Sequence, residues 1–294
     1  MDTTEKLPDK NRKSGWSGVI NADVLRVIAV GTMIIDHIWQ AGLVEARWFN
    51  WIGRLAFPIF AFQIAEGYAK TSNVKRYALR LFAFALISEI PFNIFCADWV
   101  FYPDYQNVIF TLLMGLMALI AIDKAKKEPA VKNICLFGMI AVIIVILAEL
   151  LLVDYGAAGV LTVIAFYLFR DFKYARVMQL LSMIIVFVLV FPGNTFAVKL
   201  FGNVLFLPVQ IFALLSLIPI WLYNGKKGLH SKALQYGFYV IYPLHLLVIY
   251  FVKVLCFKAG RHYNNAREFL YNPYPDVQGN QSRIGSYLHR DHSR

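Results

Sequence analysis

Charged residues are scarce in this chain: they make up 16% of its 294 residues, against about a quarter in an average soluble domain. Cysteine is rarer still. Cys96, Cys135 and Cys256 stand apart from one another, without the spacing of a zinc site or a disulfide framework, so neither is expected. No internal repeat of transporter type is present. A polar stretch precedes the first apolar run and no small-residue cleavage site follows it, so that run is expected to stay in the membrane.

Apolar residues are correspondingly abundant, at 59% of the chain with a mean hydropathy of +0.56. They cluster in runs of about 20 residues, the length of a helix that crosses ~30 Å of hydrocarbon. Backbone groups in lipid must be hydrogen-bonded within their own segment, so these runs predict helices, and continuous apolar blocks do not fit the alternating strands of a barrel. The prediction is an all-α, polytopic membrane helix bundle with about nine transmembrane helices, roughly 8 to 10. The predicted spans are Val24–Gly42, Trp51–Ala69, Tyr77–Ala97, Val108–Asp123, Ile134–Val153, Ala157–Phe169, Val177–Phe191, Val204–Tyr223 and Tyr236–Cys256.

Basic residues fill alternate connections between the predicted spans, whereas the opposite connections before the last span hold only Arg47 and Lys199. The positive-inside rule therefore places the N-terminus in the cytoplasm. The predicted organisation is a cytoplasmic tail over 1–23, a transmembrane domain over 24–256 and a polar, disordered tail over 257–294, whose side of the membrane stays open. Because loop lysines and arginines account for the net charge of +11, membrane lipids and not nucleic acid are the expected surroundings.

Several ionisable side chains interrupt the predicted spans, where charge is costly and usually faces the bundle interior. The predicted orientation puts four of them, Asp36, His37, Arg54 and Glu89, at similar depth in the outer half of the bilayer. A base, two acids and a guanidinium from three helices form a candidate catalytic layer. Alternatively, Arg54 pairs with Asp36 or Glu89 only to hold helices together. The further substrate-site candidates within the spans are Glu66, Glu149, Tyr242 and His245.

Arg26 and His37 lie eleven residues apart, about three helical turns, so both side chains share one face and are separated by ~16 Å along the axis. A guanidinium at the cytoplasmic mouth can bind phosphate, and a deeper neutral imidazole can act as a general base. A donor with an anionic head and a long thin arm, such as a coenzyme A thioester, fits this spacing. Positive-inside bias alone is the other explanation of Arg26.

The stretch from Leu25 to His37, LRVIAVGTMIIDH, and that from Trp51 to Asn93, with IGRLAFPIFAF, EG, KRY and ALISEIPFN in order, resemble the TraX family over most of the chain to about residue 250. Members of that family are integral-membrane acetyltransferases named for N-terminal acetylation of conjugative pilin. The resemblance implies acyl transfer in a multi-pass protein of the bacterial plasma membrane, with the acceptor left open.

A wider resemblance is to the membrane acyltransferase-3 group, whose first helix carries a basic residue, ten intervening residues and a histidine, as Arg26 and His37 do. It implies a catalytic role for His37 and acyl-donor handling by Arg26. The last helix, with Tyr242 and His245, is similar as well. The group's Arg-x-x-Arg motif is absent, and Arg76 with Arg80, four residues apart, are its nearest counterparts as donor-binding residues.

The predicted function is acetyl transfer from cytosolic acetyl-CoA, with no metal, to a protein N-terminus or to a cell-surface glycan or lipid. In this hypothesis His37 is the base, Glu89 orients it, and Arg54 stabilises the oxyanion or orders carboxylates with Asp36 nearby. The rival hypotheses are a transporter or channel that uses the same charges as a relay, and an accessory scaffold without activity. The choice between amine and hydroxyl acceptors, acyl-enzyme or direct transfer, and the oligomeric state stay open.

Overall fold

A computed structural model describes residues 18–191, 193–200, 203–228 and 232–258, so most of both predicted tails lies outside the described residues. The described chain is mostly helical. Its helices are α1 (Ala22–Gln40), α2 (Trp48–Gly53), α3 (Ala56–Lys70), α4 (Val74–Ala97), α5 (Val108–Lys127), α6 (Val131–Leu150), α7 (Gly156–Leu168), α8 (Ala175–Ile184), α9 (Leu217–Trp221) and α10 (Lys232–Lys258). A π-helical segment over Ile185–Val190 continues α8, and a 3₁₀ segment over Val209–Ser216 leads into α9.

Asparagine caps start several helices. The side chain of Asn21 accepts hydrogen bonds from the backbone of Asp23 and Val24, Asn73 caps α4 and Asn107 caps α5. These caps satisfy backbone donors that the first turn of a helix leaves free, so α1, α4 and α5 each begin at a defined residue.

Within the described residues, four helices are long and apolar enough to cross a membrane, at Val74–Ala97, Val108–Lys127, Val131–Leu150 and Tyr236–Cys256. Three shorter apolar helical stretches cover Gly156–Leu168, Ala175–Val190 and Val209–Trp221. Helix α1 has comparable length but carries Asp23, Arg26 and Asp36. The structure thus confirms a helical chain with membrane-spanning candidates.

The predicted eighth span, Val204–Tyr223, is wrong as a continuous helix. Its first residues form strand β2 (Asn203–Pro208), which pairs antiparallel with β1 (Thr195–Leu200) from Thr195↔Pro208 to Leu200↔Asn203. The all-α prediction therefore needs a two-stranded hairpin added. Valine and phenylalanine in these strands suit a pleated backbone as well as an apolar helix. Pro208, which lacks an N–H, is the last residue of β2.

Hydrogen bonds tie the helices together near both of their ends. Where α1 begins, Gln63 donates to the carbonyl of Ala22 (2.9 Å), and Tyr68 and Tyr167 donate to the two oxygens of Asp123 (2.9 and 3.0 Å). We call this the basic end, because Arg26, Lys70, Arg80 and Arg170 lie there. Where α1 finishes, the connections 98–107 and 151–155 meet through a bridge between Gln106 and Val153. We call this the far end.

Between the two ends the bundle is packed with apolar side chains such as Phe62, Leu116 and Phe166, which are almost fully buried. Close helix approach depends on small residues, since a Cβ added to Gly115 would lie 2.8 Å from Val163 Cγ2. Helix α6 instead exposes most of its apolar surface, as a helix against lipid does. These contacts hold α1, α3, α4, α5 and α10 around one cavity.

Candidate functional site

A cavity of about 440 Å³ opens near the basic end and runs between α1, α3, α4, α5 and α10. Along α1 it extends from Ala22 to Met33, which is ~16 Å at the rise of a helix. Its size lies within the range of small-molecule sites, roughly 300–1,000 Å³. The polar side chains that line it are Asp23, Arg26, Gln63, Glu66, Lys70, Thr71, Tyr77, Arg80, Tyr223, Lys227, Tyr239 and Tyr242.

Two arginines stand out in this lining. Arg26 pairs with Asp23 (Nη1 to Oδ1, 3.0 Å), and its guanidinium lies 4.9 Å from the centroid of the Phe238 ring. Nε of Arg80 is buried and has no hydrogen-bond partner among the described residues. Arg76, one turn earlier on α4, is exposed and does not line the cavity. Of the predicted donor-binding residues, Arg26 and Arg80 can therefore hold an anion in the cavity.

The cavity ends at Met33 on α1 and Tyr242 on α10, about one helical turn before His37 and His245. There the two histidines meet, with Nδ1 of His37 2.7 Å from Nε2 of His245. Nδ1 of His245 lies 2.9 Å from the carbonyl oxygen of Ile241. His245 is buried and His37 half-buried. The structure thus brings two of the predicted site residues, 208 positions apart, into direct contact beyond the inner end of the cavity.

Asp36 and Arg54 form a second, separate pair near the far end. Nη2 of Arg54 lies 2.5 Å from Oδ2 of Asp36; Asp36 is buried and the Arg54 side chain is 14% exposed. Asp36 also accepts from Gln40 (2.7 Å) and Asn50 (2.8 Å). Nε of Arg54 donates to the carbonyl of Asn50 (3.3 Å). This arrangement matches the alternative in which Arg54 joins α1 to the α2–α3 corner.

Glu89 lies apart from both pairs. Its Oε2 accepts from the side chain (2.5 Å) and the backbone N–H (3.3 Å) of Asn107. Asn107, completely buried, also donates to the carbonyl of Ala85 (2.9 Å). Glu89 thus fixes the start of α5. The contact with His37 that was predicted for Glu89 is made by His245.

A third polar contact lies at the far end, between the connections 98–107 and 151–155. The hydroxyl of Tyr105 donates to Oδ1 of Asp154 (2.5 Å), and Thr111 donates to the Asp154 carbonyl. Burial raises the pKa of the Asp154 carboxyl to about 6, although the Tyr105 hydrogen bond opposes that rise. These hydrogen bonds hold the 151–155 connection against Tyr105 and the first turn of α5.

The remaining predicted candidates have structural partners. Glu66 lies at the basic end, where Arg170 (2.5 Å) and Lys70 (2.7 Å) pair with it. Glu149 is exposed at the far end and accepts from the backbone N–H of Ala157 (2.9 Å), capping the start of α7. Glu66 therefore lines the mouth of the cavity, whereas Glu149 does not reach it.

Sequence reasoning missed several residues that shape the site. Asn50, Asn107 and Asp154 lie at the borders of apolar runs, where polar residues are common and give no signal of their own. Lys253 is buried, with Nζ 3.8 Å from Oδ2 of Asp98; a lysine inside the last apolar run was a usable signal. Among the described residues, no group of three or more His, Cys, Asp or Glu side chains is placed to hold a metal ion.

The similarity to known proteins covers almost the whole helical part of the chain. The family model for TraX protein matches residues 21–253. The chain is also similar to the probable fimbrial assembly protein FimC, serogroup H1, of Dichelobacter nodosus. The two are 27% identical over 245 residues, which cover 78% of this chain and 94% of that protein. No solved structure matches.

Proposed function

The chain belongs to the TraX family, and on that premise we propose that this membrane protein is an acetyltransferase. It takes acetyl from cytosolic acetyl-CoA and delivers it to an acceptor that reaches His37 from the other side of the bilayer. The similarity to a fimbrial assembly protein favours a protein N-terminus, in particular that of a pilin-like subunit, as the acceptor. We further propose that the protein lies in the bacterial plasma membrane as a multi-pass helix bundle with a cytoplasmic N-terminus.

The observation that carries this proposal is the cavity between Arg26 and Tyr242. Its mouth holds guanidinium groups that suit phosphate, and its inner end stops about one turn from His37. A phosphorylated head at Arg26 and Arg80 with an arm along α1 brings a thioester to the inner end of the cavity, about one helical turn from the histidines. A charge relay for transport does not require an anion site at the mouth of a cavity that leads toward two histidines.

The chemistry needs one base and a defined path for one proton. The lone pair of the acceptor nitrogen or oxygen attacks the thioester carbonyl carbon. Nε2 of His37 takes the proton that the acceptor amine or hydroxyl loses in this step. The C–S bond breaks, the new C–N or C–O bond forms, and the proton returns from His37 to the coenzyme A sulfur. General-base catalysis of this kind contributes on the order of 10²- to 10⁴-fold.

Replacing Arg80 by methionine is expected to raise the KM for acetyl-CoA about 10- to 100-fold, because a hydrogen bond to a charged group contributes about 1.5–3 kcal/mol. The kcat should change by less than about threefold, since binding and not chemistry is affected. Arg76→Met is the matched control, being the same substitution one turn away on an exposed side chain. An equal rise in both variants would mean general charge attraction and would contradict a site at Arg80.

The direct test uses the full chain in vesicles, oriented so that the basic end of the protein faces outward. Labelled acetyl-CoA is added outside, and acceptor peptides or glycans are enclosed inside. Acetylation of the enclosed peptide N-terminus supports the proposal, and acetylation of the glycan alone corrects the acceptor. Flux of protons or solutes without acetyl-CoA, and no acetylation of any acceptor, would favour the transporter hypothesis and overturn the proposal.

A further inference from the structure

The contact between the two histidines restricts where their protons lie. Nδ1 of His245 faces the carbonyl oxygen of Ile241 at 2.9 Å. A carbonyl oxygen only accepts hydrogen bonds, so Nδ1 of His245 must carry a proton. In the neutral ring, Nε2 of His245 is then an acceptor.

Nδ1 of His37 lies 2.7 Å from that acceptor and must therefore donate to it. The opposite arrangement would set a ring lone pair of His245 against the lone pairs of the Ile241 carbonyl at hydrogen-bond distance. For two neutral rings, only one assignment satisfies both contacts. It leaves Nε2 of His37 unprotonated, and that nitrogen has no hydrogen-bond partner among the described residues.

We infer that His245 is a positioning residue, which holds the proton of His37 on Nδ1 and so keeps Nε2 available as a base. This inference rests on the proposed function. The contact is suited to the task, because the two rings are also nearly parallel, with centroids 4.9 Å apart and planes at 29°. Phe95 packs edge-on against His37 at 5.3 Å, and the ring is thereby held in one orientation.

Neither of the two carboxylates predicted to lie near His37 has a hydrogen bond to it among the described residues. Asp36 precedes it on α1 but is directed to Arg54, Asn50 and Gln40, and Oε2 of Glu89 binds Asn107. His245 is thus the partner that fills the orienting role which a carboxylate has in a Ser-His-Asp triad.

His245 also has a part in the transfer step. When Nε2 of His37 takes the acceptor proton, the His37 ring becomes positive and its Nδ1–H bond to His245 becomes charge-assisted. The histidine pair then holds one extra proton and the positive charge that comes with it. Transfer of this proton to the coenzyme A thiolate makes both rings neutral again. No further base or co-reactant is needed for this balance.

The experiment reads the tautomer directly. In the full chain labelled with ¹⁵N-histidine, His37 is assigned by the signals that vanish in His37→Asn. We expect a protonated Nδ1 and an unprotonated Nε2 at neutral pH. A proton on Nε2 of His37 in the wild-type chain would overturn the inference whether or not the protein transfers acetyl, so its failure is separable from that of the proposed function.

Two substitutions at His245 then test the consequence. His245→Gln keeps an acceptor, Oε1, near the position of Nε2, and should retain kcat within about tenfold. His245→Leu removes the acceptor and should lower kcat by on the order of 100-fold or more. The KM for acetyl-CoA should stay within about twofold in both, because His245 does not line the cavity. Equal kcat in the leucine and glutamine variants would overturn the positioning role.

Discussion

His37→Asn is expected to lower kcat for acetyl transfer by on the order of 10²- to 10⁴-fold, the usual contribution of a general base. Asparagine places its side-chain amide near the position of the His37 Nδ1, so it can still donate to Nε2 of His245 and keep α1 and α10 together. It has no lone pair at the position of Nε2. The substitution therefore removes the base while it preserves the contact observed at 2.7 Å.

The measurement is the initial rate of labelled acetyl transfer by purified protein, together with its thermal unfolding midpoint. Thr32→Ala is the control on the same helix, because the Thr32 hydroxyl binds only the carbonyls of Ile28 and Ala29 and does not line the cavity. We expect the control to transfer acetyl at the wild-type rate. A kcat for His37→Asn within tenfold of wild type would remove His37 from the mechanism.

The second large effect is expected on folding, at the Asp36–Arg54 pair. Arg54→Met keeps the aliphatic stem but leaves Asp36, 6% exposed, without its cation. Removing one partner of a buried ion pair costs about 3–5 kcal/mol, a large share of the ~5–15 kcal/mol that stabilises an average domain. We expect a steep loss of monodisperse protein and a lower unfolding midpoint. Arg47→Met, at an exposed arginine a few residues earlier, is the matched control and should be neutral.

A double variant separates the structural role of Arg54 from a chemical one. Asp36→Leu with Arg54→Met replaces the buried pair by apolar side chains, which is often neutral or stabilising. The Gln40 side chain is exposed and Asn50 partly so, and both can turn their amides to water. We expect folded protein and acetyl transfer to recover together. A folded double variant without activity would instead return Arg54 to the chemistry as an oxyanion stabiliser.

Close packing explains why the pair is sensitive. A Cβ added to Gly53 would lie 2.3 Å from Cβ of Asp36, so the α2–α3 corner reaches α1 only because residue 53 is glycine. The predicted second span is broken between Gly53 and Ala56, and Arg54, within this break, has its guanidinium beside the Asp36 carboxylate. Hydropathy gives no sign of this break, since the apolar run continues across it.

Other features depend on local sequence and could be predicted from it. Apolar runs as long as a bilayer is thick predicted the helices at Val74–Ala97, Val108–Lys127 and Val131–Leu150, because helix formation in lipid satisfies backbone groups within a single segment. The eleven-residue interval between Arg26 and His37 fixes their relative position along α1 for the same reason. The ordered motifs between Leu25 and Asn93 predicted the TraX family, which the family match over residues 21–253 confirms.

At the hairpin of β1 and β2, amino-acid composition is not sufficient to distinguish a helix from a strand. Valine, leucine and phenylalanine between Asn203 and Pro208 fit an apolar helix and a strand equally well, and pairing with a neighbouring strand decides between them. The role of Glu149 also depends on the fold. Its position within an apolar run made it a candidate site residue, but in the structure its carboxylate caps α7.

The sequence by itself thus determined the helical membrane character, the family and the alignment of Arg26 and His37 along one helix, because each is a property of a single continuous segment. Only the tertiary structure decided that His245 and not Glu89 contacts His37, that Asp36 pairs with Arg54, and that a cavity approaches the histidines from the basic end. Those contacts join helices far apart in the chain, and their partners are set by how the helices pack, which spacing along the sequence does not encode.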